Sequence, residues 1–582
     1  MKSKGGDILA ETLKAYDVEN IFGLPAAATT CYWWLQAEQR GIRTITNRSE
    51  TGAAMMADGY ARTSFKPGVN IFHNIGSMYY ATGLIEAYHS STPVIGITST
   101  GGSRIFSDAG IHRETAYINF VSLFEEITKW TVIVDRVEKT YDILRHAFEV
   151  ATTGRPGPVV VIFRDEDVFK EADVEVRGNP EFTRYPALRI GANSESISKA
   201  ADLLIKAQRP VIYAGNGVML SQAWNELIAL AETLGAAVAT THGGKGAIPD
   251  THPLCIGTGG STTWTQEARE RRVGDPEQRS THVANKFLAE ADVALFVGVD
   301  TDRSASMPPF VLFDFHGLDT KIIQIDVDSF EIGKGYPVEV GIVGDAKLSL
   351  EQLRKAVEMK MSKRKMGDSP VVDMIRKRME EWLDAASPRM HSNAIPIKPA
   401  RVLKELQAFI DKDTIVCLDA STPSRWGSGH LNSLAAGRTF LEPRGLGSLG
   451  LTVPMALGAK VGAPDKKVFC ITGDGSFGYS IGELETAVRN NLNVIYIVLN
   501  NLSYSAEKRF MEVSLKRKSS TVDLSPLTNY GKVMEGLGGH GALVERPGEI
   551  KDAIKTALEA NKPAVIDVRT EYQDTRPPWS SL

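Results

Sequence analysis

Cysteine is scarce and scattered in this chain. Cys31, Cys255, Cys417 and Cys470 are the only four in 582 residues, and they lack the short spacings of a zinc site or the density of a disulfide framework. No apolar run approaches the length needed to cross a bilayer, and the N-terminal MKSKGGDILAETLK has no signal-peptide core. No single basic region dominates a chain of formal net charge −4, which argues against nucleic acid as the main partner. There is no short repeat. What remains, 43% hydrophobic and 23% charged residues, describes a globular protein with ample cores. The length leaves room for about three or four domains. The expectation is a cytoplasmic enzyme with a small-molecule substrate and no membrane partner.

Hydrophobic patterning divides the chain into α/β units. In the first, Asp7 to Tyr16 reads as an amphipathic helix, and strand-like runs follow at Val18–Phe22, Val69–Phe72, Val94–Thr98 and Val159–Phe163. Glycine and proline punctuate their ends, the rhythm of a parallel sheet. Lys170 to Arg189 reads as a polar linker. A second unit carries strands at Pro210–Ala214, Val293–Val299 and Ile322–Asp326, with a charged loop or insertion at Glu267 to Ser280. The basic stretch Lys360 to Lys365 opens a second linker, and a third unit begins near Ile395. The expected fold is α/β, three doubly wound parallel-sheet domains at 1–170, 190–357 and 395–582. The first and third share a βα rhythm that fits distant copies of one unit.

The most informative stretch is Val468-Phe469-Cys470-Ile471-Thr472-Gly473-Asp474-Gly475-Ser476. It reads as an apolar strand entering a Gly-Asp-Gly-Ser turn, with Ser480 and Glu483 as a capping box for a helix to about Asn490. Val494 to Leu499 is a second buried strand, ending at Asn500-Asn501 after 24 residues intervene between Gly475 and Asn500. Parallel strands place Asp474 and Asn501 at one carboxyl edge, where such sheets bind ligands. The glycines let the backbone approach an anion. A carboxylate, an amide oxygen and a main-chain carbonyl suit a hard cation such as Mg2+ that also holds phosphate oxygens.

A second stretch runs Arg48-Ser49-Glu50-Thr51-Gly52-Ala53-Ala54-Met55-Met56-Ala57-Asp58-Gly59-Tyr60-Ala61-Arg62. By itself, Glu50 is most simply an acid at a helix N-terminus, stabilised by the dipole. A third, Gly445-Leu446-Gly447-Ser448-Leu449-Gly450, reads as a glycine-rich turn beside a core leucine.

Together the three segments resemble the signatures of thiamine-diphosphate enzymes, GDG followed by NN, E-x-G-A-A-x-x-A-D-G-Y-A-R, and the loop that wedges between the two cofactor rings. The order of units resembles the acetohydroxyacid synthase branch over nearly the whole chain, with pyrimidine-binding, central and diphosphate-binding domains. Phe22-Gly23-Leu24-Pro25, Gly154-Arg155-Pro156-Gly157-Pro158 and Ile325-Asp326-Val327-Asp328 add to it.

The resemblance implies thiamine diphosphate and Mg2+ as cofactors, with Asp474, Asn501 and the Ser503 carbonyl on the metal. It places Gly473, Gly475, Ser476 and Thr422 near the diphosphate and Glu50 on the aminopyrimidine ring. Gly447 would offer its carbonyl to the pyrimidine amino group, while Leu449 holds the cofactor bent. Family members bind the cofactor between two subunits, so a homodimer is the minimum and a homotetramer the usual form. The central domain of relatives holds FAD, ADP or neither; Gly215, Gly217, Arg303 and Asp326 stand at the corresponding places.

Several residues depart from biosynthetic acetohydroxyacid synthases. Ala26, Ala27 and Ala28 follow Pro25, and His73-Asn74-Ile75-Gly76 replaces a Ser-Gly-Pro-Gly turn. His112-Arg113 stands for a Phe-Gln pair, and Thr422-Pro423 for a Gln-His pair. These changes surround the reacting centre. His112 suits proton transfer to a substrate oxygen, and Arg113 suits a carboxylate, sulfonate or phosphate; a core histidine and a structural ion pair are the plainer alternatives. Ala26, His73, Tyr504 and Glu507 are further substrate candidates. Lys508, Arg509, Lys516, Arg517 and Lys518 would draw an anionic substrate or an acyl-CoA phosphate, or simply form a solvated face. The tail Asp574 to Leu582 reads as a lid or as a packing segment.

The leading expectation is an acetolactate synthase-like carboligase acting on a 2-oxo acid. Alternatives are a 2-hydroxyacyl-CoA lyase, an oxalyl-CoA-type decarboxylase, a sulfoacetaldehyde acetyltransferase-like enzyme and, further off, a flavin-coupled 2-oxo acid oxidase.

Overall fold

A computed structural model describes residues 2–100, 119–260, 283–301, 319–361, 370–513, 515–524 and 527–573. It contains three six-stranded parallel sheets. The first runs Arg43–Thr46, Asn20–Gly23, Gly68–Ile71, Val94–Ser99, Val159–Phe163, Trp130–Val134. The second runs Cys255–Thr258, Ala237–Thr240, Pro210–Ala214, Val293–Val297, Lys321–Asp326, Val340–Val343. The third runs Phe440–Leu441, Thr414–Leu418, Lys467–Gly473, Val494–Asn500, Ala564–Arg569, His540–Val544. Numbered by appearance within each sheet, the first and third share the order 2-1-3-4-6-5, while the central one is 3-2-1-4-5-6. Identical order in the outer sheets agrees with the distant-copy expectation, and the central order is that of dinucleotide-binding sheets.

The three-sheet α/β fold is the expected one. Among the strands read from sequence, Val159–Phe163 agrees in both bounds, and Val94–Ser99 runs one residue longer. Arg43–Thr46 and Trp130–Val134 carried no expectation, because these partly buried strands at sheet edges are short and their patterning is weak. The stretch read as the first linker contains Glu171–Asp173, which pairs antiparallel with Lys2–Lys4. In sequence, the helix Pro370–Met390 follows the last strand of the second sheet and precedes the first of the third.

By packing, the chain forms two compact units. One comprises 1–188 with 443–468 and 479–494; the other comprises 189–442 with 469–478 and 495–582. In the first unit, the helices Glu50–Ser64 and Thr452–Gly462 meet across glycines. A Cβ at Gly59 would lie 2.0 Å from the Met455 carbonyl oxygen, and one at Gly458 would lie 2.0 Å from that of Met56. Backbone therefore touches backbone, and both glycines are needed.

Beneath this crossing sits a buried charge cluster. Arg62 Nε lies 2.7 Å from Asp58 Oδ1, and its Nη2 lies 3.3 Å from Glu86 Oε1. Both acids are 0% exposed. Burial pushes the Asp58 carboxyl up, and the Arg62 guanidinium pulls it down. Arg62→Ala strands two buried carboxylates without their shared cation. It should destabilise the protein by about 3–5 kcal/mol, read as a lower urea midpoint at unchanged slope.

Candidate active site

Asp474 and Asn501 follow adjacent parallel strands of the third sheet, Lys467–Gly473 and Val494–Asn500. Helical backbone begins at Asp474 itself, in the helix Asp474–Tyr479, so the expected free turn is absent. Asp474 is 3% exposed, and its Oδ2 is buried with no hydrogen-bond partner among the described residues. Burial pushes its carboxyl up to about 6, while the backbone amides of Asn501, Gly475 and Leu502 pull it down. These amides place the acid beside the 501–502 turn. An acid oxygen buried without a donor is costly unless a cation meets it.

The turn after Asn500 is held from several directions. Leu502 takes a positive φ of 58°, and the Ser503 hydroxyl donates to Asn501 Oδ1 at 3.0 Å. Tyr504 N–H donates to the Val522 carbonyl at 2.9 Å, and Leu524 N–H to that of Leu502 at 2.7 Å. Asp567 accepts from Asn500 Nδ2 at 3.0 Å and from Tyr530 N–H at 2.9 Å. The Tyr530 hydroxyl donates to the Asp474 carbonyl at 3.3 Å. Sequence reading missed Asp567 and Tyr530, since an acid inside a strand and a lone tyrosine carry no spacing signal.

The glycines divide their work. A Cβ at Gly473 would meet nothing within 4 Å, so this glycine faces open space, whereas one at Gly475 would lie 2.8 Å from the Tyr504 ring. Ser476 is buried. Thr422 is buried too, at the start of the helix Thr422–His430, directly after Ser421 at φ 68°. Glu507 is exposed on the helix Ser505–Val513. Among the described residues no group of three or more His, Cys, Asp or Glu forms a metal cluster. A cation at Asp474 would therefore rest on mixed oxygen donors, the set that suits Mg2+.

In the other compact unit, Glu50 opens its helix, with the Ser49 hydroxyl accepting from Gly52 N–H at 3.0 Å. Gly76 lies against the Glu50 carboxylate, since a Cβ there would approach Oε1 to 2.1 Å. His73 caps the short turn Asn74–Gly76, its Nδ1 accepting from Ile75 N–H at 3.4 Å. Ala26 precedes the helix Ala27–Gln39, and its N–H donates to Thr30 Oγ1 at 2.8 Å. Gly447 takes φ 69°, and Leu449 is half-buried. The loop that carries them is tied at its front: Glu86 accepts from Gly445 N–H at 3.0 Å and from Leu446 N–H at 2.7 Å. Glu86 also went unread, though a lone acid within Ser77–His89, a largely apolar helix, was a usable signal.

The expected capping box is not formed. The Ser480 hydroxyl donates to the Gly450 carbonyl at 2.8 Å, and the helix starts only at Glu483. The Glu483 carboxylate accepts instead from the backbone N–H of Arg48 at 3.0 Å and of Ser49 at 3.1 Å. Tertiary donors outcompeted the local one. His112, Arg113, Arg303, the 267–280 segment and the 574–582 tail lie outside the described residues. In the central sheet, Gly215 and Gly217 pack against Gly298, where added Cβ atoms would approach backbone to 2.1 and 2.5 Å. Close packing alone thus accounts for those glycines.

Comparison with known proteins agrees along the chain. Residues 3–120 match the N-terminal thiamine pyrophosphate-binding domain of thiamine pyrophosphate enzymes, 197–353 their central domain, and 419–568 their C-terminal thiamine pyrophosphate-binding domain. A "probable acetolactate synthase large subunit" of Methanococcus aeolicus is 32% identical, covering 97% of this chain and 91% of its own. Its namesake in Methanocaldococcus jannaschii is 31% identical over 99% and 93%. A sulfoacetaldehyde acetyltransferase of Castellaniella defragrans is 27% identical over 97% and 92%. The chain therefore belongs to the thiamine pyrophosphate enzymes, in their acetolactate synthase-like branch.

Proposed function

We propose that this protein is a thiamine-diphosphate- and Mg2+-dependent carboligase that takes a 2-oxo acid as donor, in the manner of an acetolactate synthase. The observation that carries the reading is the buried, unpartnered Oδ2 of Asp474 beside Asn501. When bound, thiamine diphosphate supplies the electron sink that lets a bond next to a carbonyl break and form. The chain positions, charges and desolvates. Asp474, Asn501 and the Ser503 carbonyl hold the metal, while Gly473, Gly475, Ser476 and Thr422 receive the diphosphate. Gly447 and Leu449 would hold the pyrimidine end of the cofactor. Glu50 exchanges a proton with the aminopyrimidine ring, and Gly76 leaves its carboxylate room. His112 would pass a proton to a substrate oxygen and Arg113 would hold its carboxylate, sulfonate or phosphate, while Ala26, His73, Tyr504 and Glu507 are further candidates for substrate contact. The three domains are 1–170, 190–357 and 395–582, and the central one takes FAD, ADP or no nucleotide. A flavin absorbance band in the purified protein would assign FAD.

The working unit is a homodimer at minimum, with Glu50 from one subunit and Asp474 from the other. Exposed apolar side chains beside Glu50 support a partner surface there: Ile75 is 64%, Met78 56% and Tyr79 65% exposed. The acetyltransferase relative, matched end to end at 27% identity, favours one second reading, transfer of an acetyl group from a sulfonated aldehyde.

Three outcomes test these readings. A mass-spectrometric product screen offering pyruvate, other 2-oxo acids, 2-hydroxyacyl-CoAs and sulfoacetaldehyde should return acetolactate from pyruvate. Turnover of sulfoacetaldehyde alone would replace the first reading with the second. Glu50→Gln should slow C2–H exchange of bound thiamine diphosphate by about 100-fold or more, with the far-ultraviolet spectrum unchanged; wild-type exchange would remove Glu50 from its role.

The third outcome concerns pH. The Asp474 carboxyl is at about 6 in the folded protein, against about 4 in an unfolded chain. Between those values the folded state keeps a proton that the unfolded state releases, so stability of the cofactor-free protein falls as pH rises through that window. Asp474→Asn should therefore be more stable than wild type above pH 6, by up to about 3 kcal/mol. That advantage should vanish near pH 4, and Mg2+-dependent cofactor retention should be lost in calorimetry.

A further inference from the structure

The acid in the Gly-Glu-Leu-Glu-Thr stretch, Glu483, is 1% exposed, and all but one of its hydrogen bonds come from a distant part of the chain. Its Oε1 accepts from Arg48 N–H at 3.0 Å, Ser49 N–H at 3.1 Å and the Ser49 hydroxyl at 3.3 Å. Its Oε2 accepts from Asn47 Nδ2 at 3.2 Å and Thr486 Oγ1 at 2.8 Å. Arg48 and Ser49 are the two residues before Glu50 and its helix. A helix start leaves backbone donors without intrahelical partners, and a carboxylate is their strongest acceptor.

Gly52 shows how tightly the acid is seated. A Cβ at that position would lie 2.1 Å from Glu483 Oε1 and 3.0 Å from the Ser49 hydroxyl. The glycine of the E-x-G pattern is thus explained by the carboxylate resting on it. The same device occurs in reverse: Glu86, 0% exposed, takes the N–H groups of Gly445 and Leu446 in front of Gly447. Each half of this unit offers one buried acid to two consecutive amides of the other half.

We infer that Glu483 is a positioning residue for Glu50: its buried carboxylate fixes the direction in which the helix bearing Glu50 starts, and with it the place of the Glu50 carboxylate. The inference rests on the role of Glu50 proposed above. The hydrogen-bond partners of Glu483 named above include no residue assigned to the metal or the diphosphate, so its loss should alter proton handling and spare cofactor affinity.

Glu483→Leu keeps bulk and removes the acceptor. Glu483→Gln keeps Oε1 for its three donors, and its new amide can donate to Asn47 after that side chain flips, since Asn47 Oδ1 is buried and unpartnered. Gly52→Ala dislodges the carboxylate without changing it. Three readouts separate position from folding: amide hydrogen exchange across 48–52 in the cofactor-free protein, C2–H exchange of bound thiamine diphosphate, and cofactor affinity by calorimetry.

Glu483→Leu and Gly52→Ala should both speed amide exchange at 48–52. They should slow C2–H exchange by about 100-fold, the effect of roughly 1 Å of misplacement, with cofactor affinity near wild type and Glu483→Gln close to wild type throughout. Should Glu483→Leu fail to fold, Gly52→Ala decides the matter. Wild-type C2–H exchange in the folded variants, alongside slow exchange in Glu50→Gln, would overturn the positioning role and leave the reading of Glu50 intact. Wild-type exchange in Glu50→Gln itself would bring down both.

Discussion

The backbone-to-backbone crossing of Glu50–Ser64 with Thr452–Gly462 is the constraint on which the candidate site depends. Gly59 faces the Met455 carbonyl and Gly458 faces that of Met56, with no side chain between. A contact this close has little rotational freedom, because protein interiors are packed like solids. It ties the helix behind Glu50 to the helix behind Gly447 and Leu449. Two buried acids then finish what the crossing begins, Glu483 at the front of one helix and Glu86 at the front of the other's loop. Arg62 supplies the neutralising charge for Glu86 and Asp58, without which burying two acids together would be prohibitive.

The third sheet follows a different logic. There the chain stores an unfavourable group: an acid with its carboxyl pushed up by burial and one oxygen left without a donor. Natural proteins tolerate such groups where a ligand completes them. Around it the structure is over-determined. Asp567 holds Asn500 and Tyr530, Tyr530 reaches the Asp474 carbonyl, and the 522–524 segment pins the turn after Asn501. Rigid surroundings hold an otherwise costly carboxylate in place.

The outer sheets share one strand order, and each carries a candidate acid at the carboxyl end of its strands or at a helix start near them. In the first unit an acid opens a helix; in the third sheet an acid follows a strand directly. The central sheet has a different order, that of dinucleotide-binding proteins. Its glycines nevertheless serve packing against Gly298, so glycine placement in that sheet says nothing by itself about a nucleotide.

Sequence by itself determined the α/β class, the parallel sheets and the pairing of Asp474 with Asn501, because strand hydrophobicity and the obligatory direction of βαβ units are local properties. It also marked the Glu50 helix through its run of small residues. What it misread, it misread for one reason. Ser480 and Glu483 have the spacing of a capping box, yet backbone donors far away in the chain compete better for that carboxylate. Glu86, Asp567 and Tyr530 carry no spacing at all. Which acid meets which amide was decided only when the helices crossed, since hydrogen bonds between distant segments depend on packing distances of a few tenths of an ångström, which no pattern along the chain encodes.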